Sequence, residues 1–282
     1  MLTARQLHIA GRHHTLVPAT TLEAHRGQVL LVQADGQERR TALSLALAGR
    51  MKPTTGSVVL GHQETIAILR KRSAIIDSPD VNEPENHLTV RSLVSEDLAL
   101  VPLKFRDRTR PTAWLVKHGF RDILDKWVGE LEPDRLLHLQ LELALADRDV
   151  DLLVVDSPDR HAAEDGAWLA LLEQAAAGMI GKDPDANSRE LIVLGVVGRI
   201  PEGWTGPTAA AGQAMEPAAE PADTPVPKSV ETPVAGSVET TEPDTPVAGP
   251  DETRDIPGSR QARSPEEARS AEATTTEGED VQ

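Results

Sequence analysis

The chain has 282 residues, no cysteine and a formal net charge of −16. Without thiols it can have neither a disulfide framework nor a thiolate metal site. Its acidity, absent tyrosine and scarce aromatics argue against nucleic acid as a partner, because phosphate backbones need a basic face and bases need stacking platforms.

The charge is uneven. Residues 201–282 hold 17 acidic and 5 basic side chains, a net of −12, among many prolines and few large apolar residues. Such a stretch cannot bury enough surface to offset the entropy of ordering it. Residues 205–282 are therefore expected to be a disordered, acidic Pro/Thr/Glu-rich tail, and residues 1–204 a folded domain. Within that tail, residues 232–236 and 245–249 both read Thr-Pro-Val-Ala-Gly, a low-complexity repeat. The N-terminus lacks a secretory pattern and no apolar run approaches the roughly 20 residues of a membrane span. The expectation is a soluble, cytoplasmic protein.

In chain order, residues 2–9 alternate loosely and read as a strand. Residues 22–32 contain another, ending in the unbroken apolar run Val29-Leu30-Leu31-Val32, which suits a strand covered on both faces. Residues 41–48 are apolar nearly all round and read as a buried helix stopped by Gly49. A turn at residues 53–56 leads to a strand at 57–60. Residues 66–76 read as one or two strands, and residues 87–146 as mostly helical, with a long helix from 136. Residues 152–155 form a second buried strand ending at Asp156. A helix at 163–178 and a third buried strand at 191–197 follow. Strands alternating with helices predict an α/β fold on a mainly parallel central sheet.

Six segments in this order carry a resemblance. They are Gly27-Gln28 with its strand, Thr41 through Ala48-Gly49 and Lys52-Pro53-Thr54-x-Gly56, Leu88-Thr89-Val90-Arg91, Glu130-Leu131 through Ala144-Leu145-Ala146, and residues 152–158. Together they resemble the ATP-binding (nucleotide-binding) domain of ABC transporters over residues 2–200. The resemblance implies a P-loop NTPase-like cassette with a helical subdomain at about residues 90–145.

A working phosphate loop reads Gly-x-x-x-x-Gly-Lys-Ser/Thr, because bare backbone N–H groups must close around phosphates. The gapless register puts Ala34 and Arg39 on the two glycines, Arg40 on the lysine and Thr41 on the Mg²⁺-binding hydroxyl. Gly36 lies inside the loop but off both glycine positions. Arg39 is expected to stand where phosphates need bare backbone. Two cations at a helix start also suggest a residual anion site, unless Asp35 and Glu38 neutralise them. By this resemblance Gly36, Arg39, Arg40 and Thr41 are the residual phosphate-binding residues, and Thr41 and Asp156 the residual Mg²⁺ ligands.

The other positions depart from the family. No aromatic precedes Phe105, so His13 or His14 is left near the adenine position. No glutamine stands between residues 77 and 80, where the family's Mg²⁺-sensing glutamine belongs. The signature loop reads Leu131-Glu132-Pro133-Asp134-Arg135, in which Pro133 has no N–H to give and two acids would face a phosphate. Ser157 replaces the catalytic glutamate, and a hydroxyl is no base at neutral pH without an activator. No histidine follows His161, so the switch histidine is missing.

The resemblance implies an ATP-binding-domain-like subunit that lacks ATPase activity, holds ATP and Mg²⁺ weakly or not at all, and serves an integral-membrane permease from the inner face of the cell membrane, in company with a second ABC subunit. A non-transport adaptor and an atypical ATP-hydrolysing subunit are the alternative readings.

Overall fold

The computed structural model describes residues 1–62, 65–106, 108–160, 164–181 and 189–213. It opens with β1 (Leu2–Ala10) and β2 (Thr15–Ala24), an antiparallel hairpin around Gly11. Next, β3 (Gln28–Gln33) enters a second sheet and runs into α1 (Gln37–Leu47). β4 (Thr55–Leu60) then returns to pair with β1, completing a three-stranded antiparallel sheet of order β2-β1-β4. Gly56 makes that return possible: at φ +80° it crosses β1 so closely that a Cβ would fall 2.1 Å from the Gln6 carbonyl oxygen. Only glycine tolerates both conditions.

Residues 66–76 contain a helix, α2 (Ile66–Lys71), before the short strand β5 (Ser73–Ile76). The helical region holds α3 (Val90–Leu100), α4 (Pro111–Lys117) and α5 (Pro133–Ala144). Thr89 starts α3 by accepting the Ser92 N–H at 3.2 Å, and Pro133 occupies the first turn of α5, where its missing N–H has no helical partner to lose. Then come β6 (Leu152–Asp156), α6 (Asp165–Ala176), β7 (Ile192–Val197) and β8 (Thr208–Ala210).

The second sheet has the order β5-β6-β7-β3-β8, and each adjacent pair is parallel. Its strands are apolar on both faces because both faces are covered. Leu30, Val32, Val154 and Leu194 pack with α1 and the antiparallel sheet. Val29, Leu31, Leu153, Val155 and Val193 pack toward Leu141 of α5 and Trp168 and Leu172 of α6. A third core, around Trp114, Phe120 and Leu139, holds the helical region together.

The folded part runs past the boundary expected at residue 204. β8 adds an edge strand to β3 from Leu31 to Gln33. Beyond it, the Gly212 N–H donates to Thr20 Oγ1 at 2.9 Å and the Thr21 N–H to the Gln213 carbonyl at 3.0 Å. Residues 205–213 thus stitch the parallel sheet to β2, and composition alone hid so short a strand. The rest of the expected tail lies outside the described residues. Among the described residues no helix is long and apolar enough to cross a membrane.

Candidate nucleotide site

A parallel sheet presents its loops at the carboxyl ends of its strands, where ligands of α/β folds gather. The loops after β3 and β6 meet there. Asp156 ends β6 and is fully buried. Its Oδ2 accepts the Thr41 hydroxyl at 2.8 Å and the Ser78 hydroxyl at 2.7 Å. Its Oδ1 accepts Gln37 Nε2 at 3.2 Å and lies 2.9 Å from Ser157 Oγ. Gln37 also donates to Thr41 Oγ1 at 3.1 Å.

Arg40 closes the arrangement. From the first turn of α1 its Nε donates to Ser157 Oγ at 2.8 Å, one terminal nitrogen to Gln37 Oε1 at 2.8 Å and the other to the Ala34 carbonyl at 3.2 Å. All three acceptors are neutral. Neither Asp35 nor Glu38 supplies a counter-charge: the Glu38 carboxylate lies 3.9 Å from His14. Of the two expectations for these cations, neutralisation by Asp35 and Glu38 is therefore not what meets this guanidinium; oriented neutral dipoles do.

Arg39 does not enter the loop. Its Nε donates to the Leu16 carbonyl of β2 at 3.0 Å, so the residue expected to block the phosphates instead fastens α1 to the antiparallel sheet. Gly36 holds the turn into α1 at φ +79° with open space around it. Ser157 also has positive φ, +55°, and its N–H is taken by the Val196 carbonyl at 2.8 Å. A non-glycine residue in that region is strained, and here hydrogen bonds with Arg40, Gln37, Asp156, Val196 and the Arg160 N–H over-determine it.

No family model and no curated protein matches the sequence. Solved structures do match the fold. A putative ABC transporter ATP-binding protein from Pyrococcus furiosus is 15% identical with TM-score 0.52, the match covering 74% of this chain and 96% of that one. CbiO1 from Clostridium perfringens, part of the ABC transporter complex CbiONQ, is 15% identical with TM-score 0.51, over 70% and 78% of the two chains. A nucleotide-free ATP-binding cassette from an ABC transporter is 14% identical with TM-score 0.50, over 70% and 81%. The fold is that of the ABC ATP-binding cassette.

Within the cassette, the remaining positions are built for packing. The first turn of α5, at the place of the signature loop, exposes Glu132 and Asp134. Leu131 packs against the helical core. Arg135 turns back, pairing with Asp122 at 2.5 Å, donating to the Gly119 carbonyl at 2.7 Å and lying 4.4 Å over the Phe120 ring. The Asp122 carboxyl is held below its ordinary range chiefly by the Arg135 hydrogen bonds. In the segment after β5, Asp77 and Asp80 both adopt positive φ, and buried Ser78 stands between them. After β6, Arg160 reaches Asp77 at 3.0 Å and Glu83 at 3.1 Å; residues 161–163 lie outside the described residues. Gly198 follows β7 where the switch histidine would be, its N–H on Asp159 Oδ2 at 2.9 Å. His13 and His14 are exposed.

Both oxygens of Asp156 have donors here, the Thr41 hydroxyl gives its proton to Asp156, and Arg40 spans from the loop carbonyl of Ala34 to Ser157. Thr41, through its hydroxyl oxygen, and Asp156 are the residues that would hold Mg²⁺, and a triphosphate would have to displace the Arg40 bonds. Sequence reasoning missed Gln37 and Ser78. Each has a faint signal: Gln37 follows the loop glycine directly, and Ser78 is the hydroxyl in the segment where the family's glutamine is sought.

A groove of about 460 Å³ opens between the parallel sheet and the helical region. Ile76, Leu93, Val101 and Leu143 line it with Asp77, Asp97 and Asp147, and Val81 and Leu100 sit on it at 50% and 82% exposure. Burial, and then the neighbouring Glu96 charge, push the Asp97 carboxyl up from 3.8 to about 6.

Proposed function

We propose that this chain is an ATPase-deficient subunit of ABC-cassette architecture that docks on an integral-membrane permease at the cytoplasmic face, in a structural or regulatory role. The observation that carries this reading is the closed network on Asp156. A carboxylate that receives Thr41, Ser78, Gln37 and Ser157 is satisfied without a metal, and the residue after it offers a hydroxyl held by Arg40 in place of a base. Nucleotide, if taken at all, is held without turnover at Arg40, Thr41 and Asp156.

The groove beside β5 supports the docking half of the proposal. Its apolar floor and rim suit an amphipathic segment, and Asp97 and Asp147, beside an Asp77 already paired with Arg160, favour one that carries lysine or arginine. The exposed acids Glu132 and Asp134 disfavour contact with a phosphate presented by a second ABC subunit, which points to a partner interface that does not rest on shared ATP. The domain organisation proposed with this function is a cassette through residue 213 and an acidic tail beyond it.

Phosphate release from Mg²⁺-ATP tests the proposal. The expected rate is background, identical in wild type and Asp156→Asn. Turnover in the wild type that Asp156→Asn abolishes would overturn it in favour of an atypical hydrolysing subunit.

A further inference from the structure

The amino edge of the parallel sheet, opposite the nucleotide loop, carries a row of charges. Arg72 immediately precedes β5, Asp151 immediately precedes β6, Arg189 stands just before β7, and Arg26 just before β3. These four strands are consecutive neighbours in the sheet. Their starts therefore bring three guanidiniums around one carboxylate.

Asp151 is 6% exposed in its side chain, with Arg26 at 2.8 Å, Arg72 in direct contact and Arg189 at 3.8 Å. The three arginines remain 38%, 39% and 44% exposed. Some of their nitrogens anchor backbone: Arg26 donates to the Glu190 carbonyl, and Arg189 to the carbonyls of Arg148 and Val150. The nearby lysines do not add to the row's free charge, since Lys71 and Lys104 both sit on Asp149. Glu190 packs its carboxylate against Gly27.

Among the described residues, one buried carboxylate is in direct contact with these three cations, whose outer edges face solvent. Burial first, and then the charges of Arg26 and Arg72, hold Arg189 below its ordinary value, against the pull of Asp149 and Asp147. An incoming anion relieves that repulsion. Guanidinium forks bind tetrahedral oxyanions through paired N–H···O bonds, and a doubly charged anion matches the excess better than a carboxylate does.

We propose that the row Arg72–Asp151–Arg189–Arg26 is an anion site for a phosphate monoester dianion, separate from the nucleotide loop. The two lie at opposite ends of strands five or six residues long, roughly 17–20 Å apart. The inference does not depend on how the nucleotide loop behaves.

Calorimetry of the full chain with inorganic phosphate, at ionic strength matched with sodium chloride, tests it. Saturable binding is expected. Arg26→Gln and Arg72→Gln should each weaken it about tenfold, the scale of one lost charge-assisted contact. Both variants keep the Arg189 backbone anchors, and unchanged melting temperatures confirm that they fold. Arg91→Gln, a surface arginine of the helical region paired with Asp125, should bind phosphate like wild type. No saturable heat, heat cancelled by matched chloride, or binding unchanged in both Arg26→Gln and Arg72→Gln would each overturn the proposal. Sedimentation with vesicles of phosphatidic acid, compared with phosphatidylglycerol, assigns the source. Retention on the former that Arg26→Gln loses identifies a lipid headgroup, and phosphate binding without retention identifies a soluble ligand.

Discussion

Asp156 shows how fully a strand-end carboxylate can be satisfied by its neighbours. Four donors converge on it, from buried Ser78 and Ser157 and half-buried Gln37 and Thr41, and removing one leaves the fully buried carboxylate short of a partner. Thr41→Val keeps the volume but takes one proton from Asp156 and one acceptor from Gln37. It is expected to destabilise the fold by about 1–3 kcal/mol, read as a lower midpoint in chemical denaturation with an unchanged slope. Thr41 and Asp156 were legible in the sequence because the buried strand and the helix after it fix their register. The partners were not. Arg39 and Arg40 are adjacent in sequence, yet one turns to the Leu16 carbonyl and the other to Ser157. That choice depends on which acceptors lie across the loop, and sequence order does not carry it.

At the scale of elements, residues 66–71 explain the one strand that became a helix. Ile66 and Ile68 are β-branched and bias a local reading toward strand. Only Leu69 is buried in that segment, and Arg70 donates to the Gly49 carbonyl at 3.2 Å, so one inward residue and one backbone anchor suit a short helix. Propensity gives way to packing there. Near the other rim of the groove, α3 carries Asp97. Its carboxyl titrates near 6 in the folded chain against 3.8 ordinarily, so the folded state binds this proton more tightly than the unfolded chain. The resulting penalty is complete above the folded value and fades as pH falls toward the unfolded one. Asp97→Asn should therefore stabilise the protein by about 1–2 kcal/mol near pH 8, allowing for the open side of the groove, and by nothing near pH 4. Paired melting curves at the two pH values check the sign. On the same helix, Leu100 is 82% exposed. If the groove docks a membrane partner, Leu100→Glu lowers co-sedimentation with permease-bearing membranes without moving the melting temperature.

For the whole molecule, the last described strand joins two layers that also meet through α1, α2 and side-chain packing. A chain ending at residue 204 loses β8 and the bonds of Gly212 and Gln213 to β2. It should be less stable than one ending at residue 213 by about 2–4 kcal/mol, the scale of several backbone hydrogen bonds and two part-buried alanines. The layered order was legible in sequence because unbroken apolar runs mark doubly covered strands. β8 was not, since three residues with no large side chain make no pattern.

Under the proposed reading, the hydroxyls and amide that surround Asp156 carry a further implication. A fold that gains nothing from a ligand has no linkage to it, so adding Mg²⁺-ATP should leave the melting temperature where it was, and a rise would count against that reading. A subunit of that kind would present the same surface to its partner whether the cell is starved or fed.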